Sequence, residues 1–158
     1  DTEGLKAFFE ANKKNYTWDI PRFKGMIVYC KDKKTESKAK KIIKTSPVDS
    51  IPSFLNKLNT DKQILVKTEK GLFVKGENKA VDKYAFNEGD YTPTAEFPIV
   101  FVAEGSKVLA KGPEEYEDMK GLVTSDYQNY LQEEWMKKLR KKYNVVIFED
   151  VLKTVKTN

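Results

Sequence analysis

The stretch Arg22–Cys30, RFKGMIVYC, constrains this chain more than any other. With side chains alternating, it puts Phe23, Ile27 and Tyr29 on one face and Met26, Val28 and Cys30 on the other. A strand that is apolar on both faces has to be covered on both, so it is read as a central strand between two layers. Within it stands a lone glycine, Gly25, flanked by Lys24 and Met26. In a strand interior a glycine marks a bulge or a close approach of another backbone.

The rest of the composition narrows what such a core could do. The 158 residues include no histidine, which removes imidazole acid–base catalysis, His-based metal sites and Ser-His or Cys-His nucleophile pairs. The single cysteine, Cys30, cannot close an intramolecular disulfide or supply a thiolate cluster, and its place at the end of an apolar strand marks it as a small buried hydrophobe. Net charge is +5, yet only Arg22 and Arg140 are arginines among 29 basic residues. Phosphate and base recognition draws on the planar guanidinium fork, so the lysine coat is read as a solvated surface, with no nucleic acid as partner. No cofactor is expected. No run approaches the roughly 18 apolar residues of a membrane span, so none is expected. The chain begins at Asp1 rather than Met, which fits a processed form or an excised piece.

Along the chain, EGLKAFFEANKKN (3–15) carries Leu5, Phe8, Phe9 and Asn12 at helical spacing, a lead-in helix within residues 1–20. After the first strand, 34–46 reads as a lysine-rich helix capped by Thr35, with Ala39, Ile42 and Ile43 as its stripe. PVDSIPSFLNKLNT is a second short helix with Asp49 or Ser50 as cap and Pro52 in its first turn. KQILVKT and GLFVKG read as strand material around a turn at EKG, and NKAVDKYAFNEGD as a short helix stopped at Gly89. EFPIVFVAEGSKVLAKG is predicted to be a hairpin turning at Glu104–Gly105–Ser106.

At Gly112–Pro113 the pattern changes. Acidic residues Glu114, Glu115, Glu117 and Asp118 precede a basic cluster from Lys137 to Lys142, as a helix dipole favours, and Tyr116, Met119, Val123, Tyr127, Tyr130, Trp135 and Leu139 hold one stripe. The spacing predicts a helix over 113–143, on the order of 45 Å long at 1.5 Å per residue, with Gly121 and Thr124–Ser125 as places to bend. NVVIFEDVLKTV within 144–158 is predicted as a closing strand and tail. A single small domain cannot cover so long a stripe, so Tyr127, Tyr130 and Trp135 are expected to meet a missing lobe, a second subunit or client polypeptide. The fold class that follows is α+β: a four-stranded, mostly antiparallel sheet with short helices, flanked by an N-terminal helix and a long C-terminal one.

Three stretches carry a resemblance. PRFKGMIV resembles the opening strand of the parvulin domain of peptidyl-prolyl cis-trans isomerases, R-A-x-H-I-L-V; GLFVKGENKAVDKYAFNEGD is similar to that family's G-x-F-x-x-G…F-x-x-A-x-F-x-x-x-G segment; and FPIVFVAEGSKVL is similar to its closing G-Y-H-I-I-x-V. The match covers residues 21–112. The helices on either side resemble those around a parvulin domain in SurA-type foldases, where they pack with an amino-terminal chaperone lobe, so the resemblance implies the carboxy-terminal part of a larger exported, periplasmic protein.

The same resemblance gives Gly25 a second reading. Gly25 stands where the family's first catalytic-centre histidine would be, and Pro98 where the second would be; Pro98 also suits the start of an edge strand. Substrate contacts are implied at Met26, Asn78, Val81, Phe86 and Phe97, although the family's Met and Phe of the proline pocket fall near Asn78 and Val81. The expectation is a degenerate parvulin-like domain that binds unfolded or partly folded, proline-containing polypeptide without isomerising it. An isomerase with a rearranged site and a structural dimerisation module are the alternatives.

Overall fold

The computed structural model of the chain describes residues 1–156, with side chains through Tyr143. It divides into a sheet unit, Thr17–Gly112, and a helical unit made of residues 1–16 and those from Pro113 onward.

The sheet unit is built on β1 (Arg22–Cys30), which pairs antiparallel along its whole length with β2 (Val66–Val74). The other edge of β1 is shared: β3 (Ile99–Val102) pairs with Ile27–Cys30, and β4 (Lys107–Leu109) with Arg22–Lys24. The architecture is the expected α+β with a four-stranded antiparallel sheet. Both faces of β1 are covered. Met26, Val28 and Cys30 pack under α2 (Lys33–Thr45) and α3 (Ile51–Asn56), with Ala39, Ile43, Ile51 and Leu55. Phe23, Ile27 and Tyr29 pack under α4 (Lys79–Tyr84), against Ala80 and Val81.

Several local expectations are corrected. Helix α2 is capped by Asp32, whose carboxylate accepts from the Thr35 N–H at 2.7 Å, rather than by Thr35, which is buried. EKG makes no turn: β2 runs straight through it, and Gly71 sits opposite Gly25. Most consequentially, β3 and β4 do not pair with each other as a hairpin. The chain leaves β1 after Val102, makes a tight turn over Ala103–Ser106 with Gly105 at φ +93°, and resumes in the same direction along β1. The Ser106 N–H donates to the Ala103 carbonyl at 3.1 Å, and Ser106 Oγ accepts from the Met26 N–H at 3.1 Å, which re-engages the strand one residue before β4. The turn at Glu104–Gly105–Ser106 exists, but it interrupts one strand instead of joining two.

In the helical unit, α1 (Thr2–Asn12) packs on α5 (Lys120–Lys156), which a 3-10 turn at Tyr116–Met119 introduces. Phe9, Tyr16, Tyr116 and Val123 form its core, with Leu5, Phe8 and Met119 around them. Tyr16 Oη donates to Asp126 at 2.9 Å. The helix starts later than Pro113 and neither Gly121 nor Thr124–Ser125 interrupts it. The backbone of residues 144–156, expected as strand and tail, continues the helix, and the last two residues lie outside the described ones.

Candidate functional site

The α4 face of the sheet carries a polar cluster set in aromatic surroundings. Tyr29 stands opposite Lys67, one pleat along from Glu69, and its hydroxyl donates to Glu69 Oε1. Asn78 Nδ2 donates to the other carboxylate oxygen at 2.9 Å, while Asn78 Oδ1 caps α4 by accepting from Ala80 and Val81 at 2.9 and 3.1 Å. Strand β2 thus supplies the acid, β1 the phenol and the α4 N-cap the amide. The Lys67 ammonium lies 5.5 Å from the Tyr29 ring centre, and Tyr91 meets Tyr84 edge-on at 5.9 Å. Together with Thr94 and Phe97 these groups line an open cleft of about 440 Å³.

Burial pushes the Tyr29 hydroxyl well above the ordinary phenol range, and the Glu69 carboxylate beside it adds to the rise. Tyr91 is raised as well, by burial and then by Tyr84 and Glu69. At neutral pH the cleft therefore offers neutral hydroxyl donors, an amide and a carboxylate already holding two hydrogen bonds. It can bind a peptide amide by hydrogen bonding and stack aromatic surface on its side chains, but Tyr29 and Tyr91 do not exchange protons there.

The residues singled out in the sequence are only partly brought together. Asn78 and Phe97 line this cleft. Val81 is fully buried beneath α4, and Phe86 packs on the edge of that core with Lys75 5.9 Å from its ring centre. Met26 points to the opposite face, where it lines a second, apolar pocket of about 160 Å³ with Ile43, Ile51, Pro52 and Ala103. A single pocket cannot hold all five.

Gly25 and Pro98 are not brought together either. Ile99 pairs with Cys30, so Pro98 lies past the end of β1, about six residues of strand or on the order of 20 Å from Gly25. What stands over Gly25 is Ser106: a Cβ built on the glycine would fall within the Ser106 side chain and 2.8 Å from its Cα. The glycine is there because the interrupted edge strand packs directly on it.

Tyr29, Glu69 and Tyr91 were missed as site residues. The signal that could have found them is chemical: a tyrosine on the buried face of a central strand needs a partner for its hydroxyl, and a glutamate on the neighbouring strand is an obvious one.

In the helical unit, Tyr127 and Tyr130 pack on Phe8 with ring centres 5.5 and 5.4 Å apart, and Tyr127 Oη donates to Asp1 at 2.9 Å. Trp135 is 61% exposed, in line with exposed Leu131 and Leu139. Among the described residues no helix is long and apolar enough to cross a membrane, and no cluster of three or more potential ligands is placed to hold a metal. Comparison with protein families, with curated proteins and with solved structures finds no match for the chain.

Proposed function

We propose that the chain is a parvulin-like module that binds unfolded or partly folded polypeptide without isomerising it, as part of an exported foldase or chaperone. The observation that carries this reading is the filling of the Gly25 site by Ser106. An amide rotation barrier of about 18–20 kcal/mol is lowered by preorganised polar groups around the twisted bond, and the space where the resemblance would put the first imidazole is occupied by structural packing. The cleft around Tyr29, Glu69, Asn78 and Phe97 supports binding: it offers an amide neutral hydrogen-bonding groups beside apolar surface.

The test is exchange NMR on a short Ala-Pro peptide with catalytic amounts of the chain, paired with titration of a reduced, unfolded client. Unchanged cis-trans rates together with saturable client binding are the expected result. Accelerated exchange would overturn the non-catalytic reading. It would favour a rearranged isomerase, for which the buried Tyr29–Glu69–Asn78 chain is the candidate centre, and Tyr29→Phe would then abolish the acceleration. Absence of client binding would overturn the binding reading.

A further inference from the structure

The outer edge of β2 has an unusual arrangement of open and closed backbone groups. On β1, Met26 turns its N–H to Ser106 and its carbonyl to Ala103, on the β3/β4 side, whereas Lys31 donates to Leu65, on the β2 side. The register then directs the backbone groups of Lys67, Glu69, Gly71 and Phe73 to β1, and those of Val66, Thr68, Lys70, Leu72 and Val74 away from the sheet. Both ends of that outward row are closed. Asn59 accepts from the Val66 N–H and donates to its carbonyl, each at 2.9 Å, and at the other end the Glu77 carboxylate accepts from the Val74 N–H at 2.9 Å while the Glu77 N–H donates to the Val74 carbonyl at 3.0 Å. Between them, among the described residues, no segment pairs with Thr68, Lys70 or Leu72. Three N–H and three carbonyl groups remain, over a window of about 14 Å at 3.4 Å per residue.

We propose that this window is a strand-addition site, in which an extended polypeptide segment with an acidic residue opposite Lys70 pairs antiparallel with β2, like every other pairing in the sheet. Two features choose the occupant. Lys70 is exposed at the centre of the window, so a second copy pairing antiparallel over the whole window would set lysine against lysine, while a segment with a carboxylate there gains a cross-strand pair. Beside the Val66–Thr68 end lies a cavity of about 380 Å³ walled by Pro52, Leu55, Ile64 and Val66. The residue opposite Thr68 falls two positions from the one opposite Lys70, on the same face, so an apolar side chain two residues from the acid enters it. The ladder supplies main-chain affinity, and the acid and the apolar side chain supply selectivity. This inference deepens the polypeptide-binding reading and rests on it for the class of ligand, but it uses neither the resemblance nor the cleft at Tyr29.

The test titrates the ¹⁵N-labelled full chain with the blocked peptide Thr-Val-Thr-Glu-Thr-Val-Thr, and with the same peptide N-methylated at Glu and both Val. Shifts and slowed amide exchange at Thr68, Lys70 and Leu72 are expected with the first, and binding at least about tenfold weaker with the second, since its ladder donors are gone. Lys70→Glu should weaken the Glu peptide about tenfold and prefer a version carrying Lys in its place. Equal binding of the methylated peptide, or protection of the β2 edge by protein concentration alone, would overturn the proposal. Shifts confined to Tyr29, Asn78 and Phe97 would overturn it too and leave polypeptide binding intact. Failure of an unfolded client as well as the peptide would remove both.

Discussion

Replacing Gly25 with alanine separates a packing glycine from a vacated position. At a strand site with room for it, Gly→Ala stabilises by about 0.4–1 kcal/mol because the unfolded chain loses freedom. At Gly25 the new methyl would overlap the Ser106 side chain and come within 2.8 Å of the Ser106 Cα. Overpacking of this kind costs about 1–3 kcal/mol, and displacing Ser106 also loosens its hydrogen bond to the Met26 N–H, worth about 1 kcal/mol. The net expectation is a loss of about 1–3 kcal/mol, so even the sign is informative.

The assay is urea unfolding followed by Trp18 fluorescence in a Trp135→Phe background, which leaves one tryptophan. Trp18 reports on the sheet unit, because its indole donates to the Leu109 carbonyl at 2.9 Å and the Arg22 guanidinium lies 4.3 Å from its ring centre. Ser106→Gly in the Gly25→Ala protein removes the colliding atoms, and a double-mutant cycle should show about 1–2 kcal/mol of favourable coupling. A Gly25→Ala protein as stable as its parent, or an absence of coupling, would refute the account.

Asn59→Ala removes three hydrogen bonds, to the Leu65 N–H at 2.8 Å and to the N–H and carbonyl of Val66, and should cost about 2–3 kcal/mol in the same assay while speeding exchange at Val66. Burial first, and then the Glu36 and Asp32 carboxylates, push the Cys30 thiol up to about 11, so the folded chain should resist a disulfide reagent at pH 8 and react in urea. Burial and the bond to Asp126 push Tyr16 up to about 12. Because the folded state holds that proton more tightly than an unfolded phenol near 10, the contribution is complete below pH 10 and is lost as pH rises toward about 12. Absorbance at 295 nm should show this late titration, and Tyr16→Phe should remove it.

What was legible in the sequence was periodicity. Phe23, Ile27 and Tyr29 against Met26, Val28 and Cys30 placed β1 at the centre of two layers, and Ala39, Ile42 and Ile43 gave the buried edge of α2. What was illegible depended on pairing. A tight turn such as Glu104–Gly105 reads the same whether it reverses the chain or lets it step aside and rejoin the same strand. The difference lies in Ser106 reaching across to Met26, 80 residues earlier. Turn residues in EKG likewise yielded to the continuous ladder with β1, since a glycine opposite another glycine is tolerated where both neighbours are well paired. The closing segment NVVIFEDVLKTV, rich in β-branched residues, has no strand beside it, and without a partner a strand is not a stable alternative to continuing a helix.

The candidate sites were harder to read for a related reason. The sequence suggested contacts from Met26 to Phe97 as though they lay on one surface, but alternation along β1 sends Met26 to the opposite face from Tyr29. The groups that define the β2 window belong to no strand motif: Asn59 precedes the strand by seven residues and Glu77 follows it by three. Asparagine and glutamate at such positions read simply as loop polarity. Only the fold shows that each saturates both backbone groups of one terminal residue, Val66 or Val74. Two such closures make continued pairing beyond either end unfavourable, because an added segment would have to displace hydrogen bonds already made. An incoming strand is thereby held in register on Thr68, Lys70 and Leu72, where displacing water is all that pairing requires.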